Sequence, residues 1–493
     1  MARREVVSVQ LIGGPTAVVD YGGLRFMTDP TFDPPGSYEV RPGVSMTKYA
    51  GPAAEVNQLP SIDAVLLSHD HHVDNLDRSG RDYLPRVPLT LTTRAGAARL
   101  GGHARGLAPW ESYELQRPNG EPVLVTAVPA QHGPDGTDHL TGEVTGFYVS
   151  SQGLPTVYVS GDNASVAIAR RIVGTLGSAS IALLHAGAAQ MPHLGDNSLT
   201  LSAARAPKVA RLIGAKWVIP VHFDGWAHFS EGVSELQDAF ARVGLGDRLR
   251  VLESGETVDV ELASPLKIAV VGASGSVGRA ITREALARGH DLIAISRHPR
   301  PERSAPGSRA VALDANSPEL AEALKGVDVV IGAVSGRRDD RPEQIPQLAQ
   351  RLLEASAEAG VQRLLWVGGA GSLEVIPGLR GVDTPTFPPE LRPEALAQGE
   401  ALEVFRTAIG GVVWSYFSPA AFLDAHGDGG DPYHLDATDS LLRDEDGASR
   451  IALLDYARAA IDEIECPRFD MTRFTIAAQT TAHEATEEPA AAA

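Results

Sequence analysis

The sequence predicts a two-domain α/β protein, with a layered α/β sandwich over residues 1–265 and a doubly wound parallel sheet over residues 266–476. Three observations predict it. The chain has 493 residues, past the roughly 250–300 at which a single hydrophobic core stops growing. Its first half alternates short apolar runs with polar, glycine-rich loops. At Leu266 the texture changes to a buried strand, a glycine loop, an amphipathic helix and a second strand, in "KIAVVGASGSVGRAITREALARGHDLIAISRHP".

The first-half strands read in order as "VVSVQLIG", "TAVVDYG", "LRFMTDP", "DAVLLSH", "VLVTAVPA", "TGFYVSS", "TVYVSGD", "IALLHAG" and "WVIPVHF". A helical period lies in "SLTLSAARAPKVARLIG", and "RVLESGETVDVELASP" reads as a closing strand pair that stops at Pro265. In the second half "RAVALDA", "DVVIGAV", "RLLWVGG" and "GVVWSYFSP" repeat the buried strand with helices between, as a parallel sheet requires. Residues 477–493 are acidic and alanine-rich with no apolar period and read as a disordered tail.

Composition narrows the function classes. A formal charge of -19 without a strong basic cluster argues against a nucleic-acid or anionic-membrane partner. The lone cysteine, Cys466, allows no intrachain disulfide and no thiolate-rich zinc site. No signal-like h-region opens the chain, and no run nears the ~18 apolar residues of a membrane span. The expectation is a cytoplasmic protein that acts on small molecules, with a homo-oligomer left open.

Candidate metal ligands stand just past the ends of apolar runs. His69, Asp70, His71, His72 and Asp74 follow "AVLL", His132 follows "VLVTAVPAQ", Asp162 follows "TVYVSG" and His222 follows "WVIPV". Strand ends of a layered sandwich converge on one edge, so sequence-distant groups can meet there. Histidine with carboxylate suits zinc, manganese or iron.

The order of a histidine-rich loop, "PAQHG", "SGDN" and "IPVHFDGW" resembles the metallo-β-lactamase superfamily over about residues 5–262, especially its ascorbate-phosphate-lactonase-like and phospholipase-D-like branches. "FMTDPTF" and "LGDNSLTLSAARA" are similar as well. The usual loop there is H-x-H-x-D-H. Read from His69, His69 and His71 match, and Val73 and Asp74 replace the Asp-His pair. Read back from "DNLD", the match is Asp70, His72, Asp74 and Asn75, with Asp and Asn replacing two histidines. The second register is preferred for its D-x-L-D ending, with His69 kept as a ligand candidate and His71 as a bystander.

That resemblance implies an αββα sandwich for the first half, with one site of Asp70, His72 and His132 bridged by Asp162, and another of Asp74, Asp162 and His222 in which Asn75 is a poor ligand. One or two ions are implied, and the oxygen content admits manganese or iron beside zinc. The implied chemistry is attack of an activated water on an ester, lactone or phosphodiester, with Asp74 and His72 as catalytic candidates. His185, His193 and His228 are read as ordinary loop histidines ahead of substrate contacts.

In the second half, Gly272, Gly275 and Gly278 have the spacing of a dinucleotide loop. The first permits the tight turn, the second lets backbone approach a pyrophosphate, and the third lets the helix pack close to the sheet. Ser274, Ser276 and Val277 complete that loop. Arg297, in "ISRHP", stands where an acidic residue would meet an NAD ribose, so NADP(H) is favoured over NAD(H). Asp314 is expected near the adenine, with Ala333 and Val334 lining the cofactor.

The only lysines of this half are Lys267 and Lys325, and neither follows a tyrosine by four residues, which excludes Tyr-x-x-x-Lys chemistry. "GASGSVG", "LLWVGGAGSLEV", "PTFPPELRPEALAQGEALE" and "WSYFSPAAF" resemble the atypical short-chain NAD(P)H-binding proteins over about residues 266–475, including NADH-flavin reductases and flavin-reductase-type biliverdin reductase. This implies a Rossmann-type fold, direct hydride transfer to a flavin- or quinone-like acceptor, and Gly368, Gly369, Ser372, Ser418 and Pro419 bordering the nicotinamide. The leading expectation is a hydrolase joined to a reductase. A cofactor sensor that regulates the hydrolase without turnover, and a metal-poor first half, are the alternatives.

Overall fold

The computed structural model describes residues 6–41, 43–191, 195, 197–260, 265–299, 308–336, 341–427, 429–444 and 446–479. The chain forms two compact units, Met1–Pro265 with Ala287–His290, and Leu266–Leu286 with Asp291–Ala493.

In the first unit a seven-stranded sheet runs, in spatial order, Thr257–Val260, Val7–Gly13, Thr16–Tyr21, Leu24–Thr28, Ala64–Leu66, Thr90–Thr93 and Ala104–Leu107. A six-stranded sheet runs Trp217–Val221, Ile181–His185, Val157–Val159, Thr145–Ser151, Pro122–Pro129 and Ser112–Gln116. Strand alternation sends Val9, Val19 and Phe26 to one face of the first sheet, where they share a core with Val125, Phe147, Val159 and Leu183 of the second. The opposite face of the first sheet carries Val18, Met27 and Val65, packed with Leu76, Tyr83 and Leu84. Helix Val166–Leu176 buries Ala169, Ile172 and Val173, and helix Ala206–Ile213 buries a similar stripe. The result is the expected αββα sandwich.

Some local expectations need correcting. Ser198–Arg205 is irregular and only Ala206–Ile213 is helical, since Pro207 suits a first helical turn. Of the expected closing strand pair, the described residues show one strand, Thr257–Val260, paired to Val7–Gly13. The hairpin of Gly36–Arg41 and Val44–Lys48 was not anticipated; it delivers Lys48 into a buried pair with Asp77 at 3.3 Å.

The second unit has an eight-stranded sheet in the order Arg309–Ala312, Asp291–Ser296, Lys267–Val271, Val329–Gly332, Arg363–Val367, Val413–Ser418, Thr472–Ala478, Tyr433–Asp436. All neighbours are parallel except the last pair. Chain order reverses between Lys267–Val271 and Val329–Gly332, the switch point at which such sheets bind ligands. Ala477 and Ala478 complete a strand paired with His434 and Tyr433, so they do not belong to the expected tail. Residues 480–493 of that tail lie outside the described residues. Among the described residues, no helix is long and apolar enough to cross a membrane.

Candidate metal centre and cofactor loop

The metal centre is built outward from Asp29, at the end of strand Leu24–Thr28. Its carboxylate accepts the backbone N–H of Ser68 at 2.6 Å and the Ser68 hydroxyl at 2.8 Å. With its proton committed there, Ser68 Oγ accepts from His69 Nδ1 at 2.9 Å, which leaves the lone pair of His69 on Nε2. His132 Nδ1 donates to the Leu199 carbonyl at 2.8 Å, so its lone pair is also on Nε2.

The two Nε2 atoms stand 3.0 and 3.2 Å from His72 Nδ1. Asp162 Oδ2 lies 3.9 and 3.6 Å from them and, although buried, accepts no hydrogen bond. All four ligand atoms fall within 4.8 Å of one another. A single proton on His72 Nδ1 could serve only one of the two facing lone pairs, whereas a cation serves all four atoms. Three imidazole nitrogens and one carboxylate oxygen make a zinc-type donor set, with outer hydrogen bonds fixing two of the rings.

Electrostatics agree with a ligand role. Burial, reinforced by the neighbouring His72, holds His69 well below the usual histidine range. Burial and His132 bring His72 down to about 4. Both rings are therefore neutral at pH 7, as ligand imidazoles must be. Burial alone would raise Asp162, but contact with His222 and then His132 and His69 holds it well below the carboxylate range.

The other side of Asp162 is occupied differently. Its Oδ1 accepts from Asn75 Nδ2 at 3.1 Å and lies 3.2 Å from His222 Nδ1. Asp74 Oδ2 is 2.9 Å from His228 Nε2, in hydrogen-bond geometry, and 3.3 Å from His222 Nε2. Burial opposes charge on His222, yet Asp162 and Asp74 push it up to about 10. His222 also has the rare φ of 53°, a strained conformation of the kind that gathers at functional sites.

The expected first site is thus corrected at one position, and in the expected second site Asp74 stands in neither ligand cluster of the described residues, whereas His222 gathers with Asp162 and His185. Asp70 is turned away from the centre, its carboxylate taken by the Arg99 guanidinium, with Nε 2.9 Å from Oδ2. His69 takes its place, so the paired loop ligands are three residues apart and neither register of the sequence motif holds. The reason lies in the turn after Ala64–Leu66, where Ser68 is pinned by Asp29 and aims His69 inward. His71 is a bystander, on the Thr141 carbonyl at 2.8 Å. His185 and His228 are more than loop histidines, since His185 Nε2 contacts Asp29 Oδ2 at 3.0 Å. His193 lies outside the described residues. Asp29 and His228 were missed as site residues; "FMTDPTF" was the available signal for the first.

In the second unit, Gly272 follows strand Lys267–Val271 with φ +92°, and a Cβ there would sit 2.2 Å from the Ala333 carbonyl oxygen. A Cβ on Gly278 would lie 2.3 Å from the Gly272 oxygen. Gly275 N–H donates to that same oxygen at 3.0 Å and closes the turn. Ser274 lies on this loop, and Ser276, Val277 and Gly278 form the first turn of helix Ser276–Ala287. Gly272 and Gly278 therefore permit backbone approaches that a side chain would forbid, the tight turn and close helix packing of a pyrophosphate-binding loop.

Ala333 and Val334 stand across the switch point, with Ala333 N–H donating to Val271 O at 2.8 Å. Arg297 is exposed just past strand Asp291–Ser296. Asp314 is exposed past Arg309–Ala312 and accepts from Asn316 N–H at 2.8 Å. Gly368 packs under Tyr416, where a Cβ would come within 2.0 Å of the ring. Ser418 Oγ is buried and accepts no hydrogen bond, whereas the Ser372 hydroxyl is engaged by buried Arg473 at 2.9 Å. All these residues stand at or beyond the carboxyl ends of parallel strands.

Residues 24–223 match the family described as Beta-lactamase superfamily domain, and residues 272–467 match the family described as NAD(P)H-binding. The chain is 35% identical over 217 residues, 43% of its length, to 99% of the uncharacterized protein YwnB of Bacillus subtilis. It is 30% identical over 203 residues, 40% of its length, to 84% of a UPF0173 metal-dependent hydrolase of Methanosphaerula palustris. A crystal structure from Streptococcus pneumoniae TIGR4, of a protein provisionally named an NADH-flavin reductase, is 32% identical over 43% of this chain and 99% of that one, with a TM-score of 0.38. The chain therefore belongs to the metallo-β-lactamase superfamily through its first half and to the NAD(P)H-binding family through its second.

Proposed function

We propose that the protein is a bifunctional cytoplasmic enzyme, a metal-dependent hydrolase of a lactone, ester or phosphoester joined to an NADP(H)-dependent reductase of a flavin- or quinone-like acceptor. The observation that carries the first activity is the convergence of His69 Nε2, His72 Nδ1, His132 Nε2 and the unpaired Asp162 Oδ2. An ion held by His69, His72, His132 and Asp162 would supply an acidified water and polarise the electrophilic oxygen. Asp74, kept ionised against burial by His222 and His228, accepts the proton of the attacking water. The C–O or P–O bond of the substrate then breaks, and the leaving oxygen takes that proton.

Purified full-length protein tested against a panel of lactones, carboxylic esters and phosphodiesters should show hydrolysis that a chelator abolishes and zinc or manganese restores. Hydrolysis indifferent to chelator, or absent with metal bound, would overturn this part.

For the second activity the tightly packed glycine loop between strand and helix supports cofactor binding, and direct hydride transfer needs no proton relay of the Tyr-x-x-x-Lys kind. NADPH oxidation in the presence of added flavin or quinone is the expected result. Tight NADPH binding without oxidation by any acceptor would favour a regulatory role. If Arg297 reads the 2′-phosphate, Arg297→Ala should lower NADPH affinity roughly 10- to 100-fold, the ~1.5–3 kcal/mol of a hydrogen bond to a charged group. NADH affinity should stay within about twofold, and calorimetry with both nucleotides checks it.

A further inference from the structure

We propose that this centre takes a single metal ion, held by His69, His72, His132 and Asp162, because Asn75 closes the place of a second. The proposal rests on the metal-hydrolase reading above and deepens it. Its basis is the unequal treatment of the two oxygens of Asp162. Oδ2 is buried, unpaired and beside the three histidine nitrogens, whereas Oδ1 receives the Asn75 amide at 3.1 Å.

The orientation of that amide is dictated by its neighbours. Asn75 is fully buried, and its Nδ2 also approaches Asp29 Oδ2 at 3.2 Å. Both acceptors are carboxylates, which offer no hydrogens, so only the NH₂ side can face them. Asn75 thus presents two N–H dipoles, positive end outward, where a second ion would need a lone pair. The nearby Oδ2 of Asp74 is engaged as well, by a hydrogen bond with His228 Nε2 at 2.9 Å, with His222 Nε2 3.3 Å away but outside hydrogen-bond geometry. Asp162, His185 and His222 do bring ligand atoms within 4.8 Å of one another on this side. Oδ1 of Asp162 carries the Asn75 amide, however, and His185 Nε2 lies 3.0 Å from Asp29 Oδ2, so an ion entering this half would have to break these contacts and would meet a donor in return.

The test is metal stoichiometry. The full chain, stripped with chelator, is titrated with zinc alone against a competing chromophoric chelator, desalted and analysed by mass spectrometry of the metal. Wild type is expected to retain one zinc per chain. Asn75→His, which supplies a lone pair, should retain two. Asn75→Asp, which removes the N–H donors and adds an oxygen, should retain more than one.

Two zinc ions in wild type would overturn the proposal and leave the hydrolase reading standing, and none would overturn both. One ion in wild type and still one in both variants, each shown folded by circular dichroism, would also overturn it. One ion in wild type, with the variants rising and no hydrolysis of any substrate, would support this proposal and remove the hydrolase reading.

Discussion

Replacing Asp162 with alanine is expected to empty the metal centre, with a fall in zinc affinity beyond the roughly 10- to 100-fold typical of losing an outer hydrogen-bond partner. Asp162 supplies the only carboxylate oxygen in the four-atom cluster with His69, His72 and His132, so its loss removes a ligand and a negative charge together. It also removes the acceptor of Asn75 and the charged neighbour of His222. Asp162→Asn separates these effects. It keeps the shape and one oxygen for Asn75, so the fold should persist by circular dichroism while zinc content and hydrolysis fall. Competition titration of zinc in both variants is the measurement. Wild-type zinc affinity in the alanine variant would show that the histidines alone hold the ion and that Asp162 is structural.

The layered sandwich and the parallel sheet were legible because apolar runs, turn residues and the glycine loop carry them locally. The same signals placed His132, Asp162 and His222 at strand ends, where the structure brings them together. What could not be read was which residues of the loop after Leu66 face inward. Asp70 is the more polar candidate and the motif offset favoured it, yet Arg99, 29 residues away, claims its carboxylate, and Asp29, 39 residues before Ser68, aims His69 instead. Neither contact leaves a trace in local spacing. His228 was undervalued for a related reason, since a lone histidine shows nothing of the Asp74 carboxylate 154 residues earlier that it meets in the fold. Asn75 was legible as a weak ligand, but its role as a donor appears only once Asp29 and Asp162 flank it.

Asp29→Ala should be the most destabilising substitution at this centre, costing about 3–5 kcal/mol, the range for removing one partner of a buried charged network. The carboxylate is 1% exposed and gathers four partners: the backbone N–H and hydroxyl of Ser68, the Asn75 amide and His185 Nε2. Alanine leaves these polar groups buried without an acceptor, at about 1–3 kcal/mol for each that water cannot reach. The total falls short of their sum because the loop relaxes.

The damage should begin where the network holds the chain. Amide exchange of Ser68 and of the loop to Asn75 is expected to rise before that of the strands on either side, and the zinc-stripped protein should show it most clearly. Urea unfolding of stripped wild type and variant gives the energy. A loss below about 1 kcal/mol, the size of one ordinary hydrogen bond, would mean that Ser68 and His69 are held by the turn itself. In that case the inward aim of His69 would have a cause other than Asp29.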